Sequence, residues 1–232
     1  MRALLLGSIG TLIESSELQR RAFNLAFDER ALGWHWDQAT YRDLLRQSGG
    51  RKRIEGYAAK RGSTVDAEAI HRRKTELFQE MLRKADLPFR DGALGLLAAA
   101  RDVGLRLGFV SGTSADTVTR IVSALADHGL ESGRAGPPFD VVTSDALGLS
   151  PKPAPSLYTH ALDQLGVLPS SALAIEDNAE GVKAARAAGL YTVAFPGANT
   201  QMRDIQNADE VVMGNIYDAF KLRLVGPLAA AE

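Results

Sequence analysis

A doubly wound parallel α/β sheet carrying an inserted helical segment is the fold class this sequence predicts, on three observations. Short apolar runs alternate with Ala-rich helical patterns beyond residue 88. Helical patterns alone fill residues 15–88. The polar clusters able to carry chemistry fall at the ends of such apolar runs, and in open α/β sheets ligands sit at the carboxyl ends of strands.

The elements follow in order. Ala3-Leu4-Leu5-Leu6 is a continuous apolar run of the kind a buried strand needs, and Gly7-Ser8-Ile9-Gly10-Thr11-Leu12 reads as the loop at its carboxyl end. Over residues 16–29, Leu18, Ala22, Leu25 and Ala26 recur at helical spacing, which sets Glu17 and Arg20-Arg21 at a helix start. Residues 38–46, 51–61 and 67–84 read as further helices, broken by Gly49-Gly50 and Gly62-Ser63. Beyond Pro88, apolar and β-branched runs at 105–110, 139–143, 172–175 and 191–195 alternate with helical patterns at 117–126, 156–165 and 182–188. The expected organisation is a core of residues 1–14 and 89–232, with residues 15–88 inserted as a helical cap. An Ala-rich tail at 228–231 is expected to fray.

Composition narrows the function classes. The 232 residues are 45% hydrophobic, enough for a substantial core, and predict a globular, cytoplasmic protein. Lys and Arg number 27 against 28 Asp and Glu, so no global field favours nucleic acid or an anionic membrane. An anionic ligand must therefore be held by local geometry. The absence of cysteine excludes disulfides, thiolate metal sites and a Cys nucleophile, and fits a reducing cytosol. The apolar run at the start is too short for a secretory signal, and no segment is long enough to cross a bilayer. His35, His71, His128 and His160 show no triad or metal-site spacing. No sequence feature sets an oligomeric state.

Three further stations follow, two of them directly after apolar runs. Ser111 and the amide of Gly112 can hold a phosphate oxygen, although Ser-Gly after a strand also reads as a plain turn. Lys152 stands between Pro151 and Pro153, whose rings fix the backbone so that an ammonium can neutralise a phosphate; a solvated lysine is the other reading. Glu176-Asp177 ends the run Leu173-Ala174-Ile175 just before Gly181-Val182-Lys183-Ala184-Ala185. Carboxylates there suit Mg²⁺, while Asp177 or Asn178 could equally cap the following helix.

These four stations together resemble the haloacid dehalogenase (HAD) superfamily, whose first loop reads Asp-x-Asp-Gly-Thr. Lys152-Pro153-Ala154-Pro155 and Glu176-Asp177-Asn178-Ala179-Glu180-Gly181 are similar to the β-phosphoglucomutase branch. Ser16-Glu17-Leu18-Gln19-Arg20-Arg21-Ala22-Phe23-Asn24, Trp34-His35-Trp36-Asp37 and Gly49-Gly50-Arg51-Lys52-Arg53-Ile54 resemble its CbbY group, which contains sugar-bisphosphate phosphatases. The resemblance implies a Rossmann-like HAD core with a helical cap. It further implies phosphate contacts from Thr11, Ser111, Gly112 and Lys152, and Mg²⁺ held by Asp177, Glu176 and the carbonyl of Ile9. Cap-side substrate contacts would come from Glu17, Arg53 and Lys74, with Gln19 standing where many relatives have His. Arg51-Lys52-Arg53 also reads as a solvated helix start.

By the same resemblance, Gly7 stands where the family has its nucleophilic Asp and Ile9 where it has the general acid/base. Neither can perform that chemistry, and the nucleophile is normally a Mg²⁺ ligand too, so weakened Mg²⁺ binding is implied. Ser8 lies between the two positions and is expected to face away, because neighbours on an extended segment point to opposite sides. The leading expectation is a HAD-like protein that binds a phosphorylated sugar or inorganic phosphate with impaired catalysis. The alternative is an active Mg²⁺-dependent sugar-(bis)phosphate phosphatase or phosphomutase with a non-standard nucleophile.

Overall fold

The computed structural model describes residues 1–46, 49–84, 87, 89–127 and 138–225. His128, residue 88 at the expected cap boundary and the tail at 228–231 lie outside them. Two compact units emerge. The first comprises Met1–Glu14, Pro88–Gly197 and Met202–Glu232, and the second Ser15–Leu87 and Ala198–Gln201.

The first unit is built on the predicted parallel sheet, six-stranded among the described residues. Its strands are β1 (Ala3–Leu6), β2 (Arg106–Val110), β3 (Val141–Thr143), β4 (Ala172–Glu176), β5 (Tyr191–Ala194) and β6 (Glu210–Val211), in spatial order β3-β2-β1-β4-β5-β6. Every pairing is parallel, and β1 lies between β2 and β4 with Leu6 opposite both Phe109 and Ile175. That order reverses direction between β1 and β4, the switch point at which a doubly wound sheet opens a crevice beyond its strand ends. Burial of all of β1 and β4 explains their unbroken apolar sequences, since a central parallel strand is covered on both faces. Besides α7 (Ala115–Leu125), the helices surrounding the sheet include the pair α8 (Ser156–Leu165) and α9 (Ala179–Ala187). Leu157, Tyr158, Ala161, Ala184 and Ala185 from this pair share one core cluster with Ala3, Leu5, Ala172 and Ala174.

Some elements depart from the sequence expectation. The segment read as a loop after β1 contains a helical turn, α1 (Ile9–Leu12), which buries Ile9, Thr11 and Leu12. Two helices were not anticipated, α6 (Ala93–Asp102) and α10 (Ile216–Val225), and neither was β6. Helix α6 interleaves Gly95 with an almost wholly apolar sequence, so it lacks a polar stripe to reveal its period, and β6 is too short for an alternation to register.

The second unit consists of α2 (Ser16–Asp28), α3 (Gln38–Leu44), α4 (Gly50–Lys60) and α5 (Ala67–Lys84). Its centre is Trp36, fully buried, with ring centroids of Phe23 and Phe27 at 4.7 and 4.8 Å and of Tyr57 at 5.4 Å. Asn24 fastens that centre to α2. Its Oδ1 accepts from the Trp36 backbone amide at 2.9 Å and its Nδ2 donates to the Trp36 carbonyl at 3.0 Å, satisfying main-chain groups that have no helix or strand of their own. Residues 198–201 join this unit through Arg42, which donates to the carbonyl of Ala198 at 2.8 Å, and through Asn199, which donates to Ser16 Oγ at 2.9 Å.

Asn24→Leu keeps side-chain volume but strands the buried Trp36 amide, while the Trp36 carbonyl keeps Arg20 Nη1 at 2.8 Å. It is expected to lower stability by roughly 1–3 kcal/mol, read as a shifted urea midpoint at unchanged slope.

Candidate active site

Lys152 organises the strand ends. Its ammonium donates to the carbonyl of Val110, the last residue of β2, at 2.9 Å, to the carbonyl of Gly7, the residue after β1, and to Glu176 Oε1, at the end of β4. An ammonium has three N–H donors, and three central strands take one each. The Glu176 carboxylate is completely buried; it also accepts from Tyr158 Oη at 2.7 Å and from the Asp177 amide at 3.2 Å. Burial raises its pKa, with the positive charge of Lys152 working in the opposite direction. Tyr158 is pushed well above its usual range by burial and then by the Glu176 charge.

The carboxylates fit where side chains are missing. A Cβ built on Gly7 would fall upon Tyr158 Oη and Glu176 Oε1, one on Gly181 would meet the same carboxylate, and one on Gly10 would meet Asp177 Oδ2. Gly7 thus has no side chain, and the room for one is filled from α8 and β4. Ile9, which the resemblance sets at the acid/base position, is buried.

Ser8 corrects the sequence expectation. It does not face away: its Oγ donates to Asp177 Oδ1. Backbone alternation ends at Ser8 because the helical turn begins at Ile9, so the rule for extended segments stops one residue earlier than assumed. Asp177 Oδ1 also accepts from Asn178 Nδ2 at 2.7 Å. Asn178 in turn caps α9, its Oδ1 accepting from the amides of Glu180 and Gly181 at 3.1 and 3.0 Å. Of the two capping candidates in the sequence, Asn178 is the one used.

The remaining phosphate candidates lie around the same strand ends. Thr11 Oγ1 donates to the Ser8 carbonyl at 2.7 Å. Ser111 is buried, its Oγ accepts from the Thr113 amide at 3.2 Å, and Thr143 Oγ1 donates to its carbonyl at 2.8 Å. Gly112 is exposed beside it. Arg90 was missed by the sequence reading. Its guanidinium donates to the carbonyls of Gly10 (3.0 Å), Phe195 (2.6 Å) and Pro196 (2.7 Å) and lies 3.4 Å above the centroid of the Phe195 ring. A single arginine in the sequence gives no sign that three carbonyls from distant segments will converge on it.

In the second unit, Lys74 is buried with its ammonium on Gln19 Oε1 and within 4.8 and 5.0 Å of the Phe23 and Phe78 ring centroids. Burial, reinforced by the charge of Arg53, brings its pKa down to about 7. Arg53 lies over the same Phe23 ring at 5.9 Å. Glu17 bonds instead to Arg20 at 2.8 and 3.0 Å, and those hydrogen bonds lower its pKa. The structure therefore gathers Lys74 and Arg53 around one ring, sets Gln19 on Lys74 and gives Glu17 a different partner.

Whether these residues suit a divalent metal is a question of donors. Among the described residues no group of three or more His, Asp or Glu side chains gathers in one place. The Glu176 carboxylate is committed to Lys152 and Tyr158, which leaves Asp177 as the carboxylate at the loop. Such a donor set does not fit a Mg²⁺ held by protein side chains alone.

Residues 1–189 match a known family, haloacid dehalogenase-like hydrolase. The chain belongs to that family. Protein CbbY of Cereibacter sphaeroides is 34% identical over 215 residues, covering 91% of each chain. The crystal structure of CbbY from Rhodobacter sphaeroides in complex with phosphate superposes with a TM-score of 0.73 at 33% identity, covering 91% of this chain and 94% of that one. A variant of the Rhodobacter protein crystallised with Xylulose-(1,5)bisphosphate gives a TM-score of 0.74 at the same identity and coverage. This HAD-like hydrolase is thus related to CbbY, in a family that generally uses Mg²⁺. No helix among its described residues is long and apolar enough to cross a membrane.

Two predictions follow from the charges. Lys152→Ala leaves the Glu176 carboxylate buried without its cation and should cost about 3–5 kcal/mol of unfolding free energy, most of it recovered in Lys152→Ala/Glu176→Gln. Chemical denaturation of the three proteins measures this. For Lys74 the folded pKa of about 7 lies below the ordinary 10.5, so between those values the unfolded chain holds a proton that the folded chain lacks. Stability should therefore rise with pH across that window relative to Lys74→Met, as read by thermal unfolding of both proteins at pH 7 and pH 9.

Proposed function

We propose that this HAD-like chain binds a phosphorylated sugar or inorganic phosphate at the carboxyl ends of β1, β2 and β4, and that the aspartyl-phosphate route of hydrolysis is closed in it. One observation carries the reading. Gly7, at the nucleophile position of the family's first loop, has no side chain, and the Tyr158 hydroxyl and Glu176 carboxylate fill the room for one. Ile9 at the acid/base position can neither give nor take a proton, a loss of typically ~10²-fold to 10⁴-fold by itself.

The phosphate half of the proposal rests on Lys152, with Thr11, Ser111 and the Gly112 amide as neighbouring donors. Phosphate capture exchanges one of the three acceptors on the Lys152 ammonium for a phosphate oxygen. The related CbbY structures with phosphate and Xylulose-(1,5)bisphosphate support this ligand class. In the second unit Arg53 and Lys74, gathered around Phe23, and Glu17 are candidate groups for contact with a polar ligand. Mg²⁺ binds weakly here, because Asp177 supplies one carboxylate and the ligand's phosphate and water must complete the coordination.

Phosphate release from a panel of sugar mono- and bisphosphates, including xylulose 1,5-bisphosphate, tests the reading in the presence of Mg²⁺. Steady turnover well below ~1 s⁻¹ is expected. Rates should rise in Gly7→Asp/Ile9→Asp/Tyr158→Phe, where the last change removes the hydroxyl and the Glu176 carboxylate must turn aside for the restored side chain. Turnover of the unmodified chain at ~1 s⁻¹ or above overturns the closed route. Calorimetry with inorganic phosphate should show binding that weakens roughly 10-fold or more in Lys152→Ala/Glu176→Gln, as the loss of a charged hydrogen bond requires.

A further inference from the structure

We infer that Ser8 is a phosphoryl acceptor, taking a phosphoryl group from a phosphate monoester bound at the strand ends and passing its proton to Asp177. The inference rests on the phosphate pocket proposed above and names the nucleophile that works there without a motif aspartate. Ser8 is the second residue beyond β1, and the carbonyl of its neighbour Gly7 holds the Lys152 ammonium. Its hydroxyl is thus carried by the residue directly after the carbonyl on which the proposed phosphate-holding cation rests.

Three features set this hydroxyl apart. A serine at the N-cap of a helix ordinarily uses its oxygen to accept a backbone amide, yet Ser8 precedes α1 without that capping bond and donates to Asp177 Oδ1 instead. Asp177 is oriented by Asn178, and Asn178 is fixed by two amides of α9. Hydroxyl, carboxylate and amide thus stand as acceptor, proton acceptor and orienting group. Ser8 and Asp177 are also both partly exposed, whereas the Glu176 carboxylate is completely buried. A ligand can reach the serine and not the glutamate. The Ser8 carbonyl is held by Thr11 Oγ1 at 2.7 Å, and the Gly10 carbonyl by Arg90 at 3.0 Å, so the backbone behind the hydroxyl is restrained on both sides.

The chemistry balances without a further reactant. Ser8 Oγ attacks phosphorus, the new Oγ–P bond forms as the P–O bond to the donor alcohol breaks, and the Oγ proton passes to Asp177 Oδ1 and on to the departing alkoxide. Protein kinases use an aspartate to accept a hydroxyl proton during phosphoryl transfer in the same sense. Donor and product are both phosphate monoesters, so the transfer exchanges like bonds and is reversible. An O-phosphoserine is also far more resistant to water than an acyl phosphate. The adduct should accumulate, with one phosphoryl group per chain and little steady turnover.

p-Nitrophenyl phosphate is the probe. The full chain should release up to one equivalent of p-nitrophenolate in a burst, with phosphate on Ser8 by peptide mass spectrometry that survives hydroxylamine. Ser8→Ala should abolish burst and adduct, and Asp177→Asn should slow adduct formation by about 10²-fold, both variants keeping the circular dichroism of the parent. Hydroxylamine-labile label, a burst that persists in Ser8→Ala, or no burst at all each overturns the inference. Inorganic phosphate binding measured beside it separates the two readings. Phosphate bound without adduct removes Ser8 and leaves the pocket, whereas no phosphate binding removes the pocket as well.

Discussion

The ammonium of Lys152 is the constraint on which the strand ends depend. It joins the last carbonyl of β2, the carbonyl just past β1 and the carboxylate that ends β4, three strands adjacent in the sheet and remote in sequence. A charge taken out of water persists only with good partners, and each of the three N–H donors has one. The same cation makes a buried glutamate tolerable, and the glutamate with Tyr158 in turn fills the space beside Gly7. Site chemistry and core packing are therefore one set of contacts, and a change at any of Gly7, Lys152, Tyr158 or Glu176 is felt by the others.

Around that centre, side chains and their absence are complementary. Glu176 lies against Gly7 and Gly181, and Asp177 lies against Gly10. Two consecutive carboxylates at the end of one strand thus have separate fates. Glu176 turns into the core and becomes the counterion of Lys152, while Asp177 remains at the loop and receives Ser8 and Asn178. Backbone alternation at the end of β4 is sufficient reason for the split, since successive side chains leave a strand in opposite directions. The hydroxyl of Ser8 gains a carboxylate partner from this division, and the proposed phosphoryl transfer depends on it.

The helical unit follows a different economy of contacts. Its aromatic centre at Trp36 combines large buried area with edge-on ring packing, and Asn24 supplies the backbone hydrogen bonds that the connecting segment cannot make for itself. Lys74 is buried there against two rings and a neutral amide, which is why its proton is held less tightly than that of an ordinary lysine.

The sequence by itself determined the fold class and the strand ends that matter. Unbroken apolar runs such as Ala3-Leu4-Leu5-Leu6 and Leu173-Ala174-Ile175 announce strands covered on both faces, and the polar residues that end them must lie at the sheet's carboxyl edge. Both are local properties, readable from adjacent residues. Elements without a local period, α6 and β6, were not legible for the same reason. Tertiary structure alone decided the partners. That Glu176 would pair with Lys152, that Ser8 would meet Asp177 across 169 positions, and that Arg90 would collect carbonyls from Gly10, Phe195 and Pro196 depends on strands brought side by side by the strand order. The direction of Ser8 turned on a single residue, the point at which extended backbone gives way to the helical turn at Ile9. Residue types set which chemistry is available; the packing of distant strand ends sets which of those groups can act together.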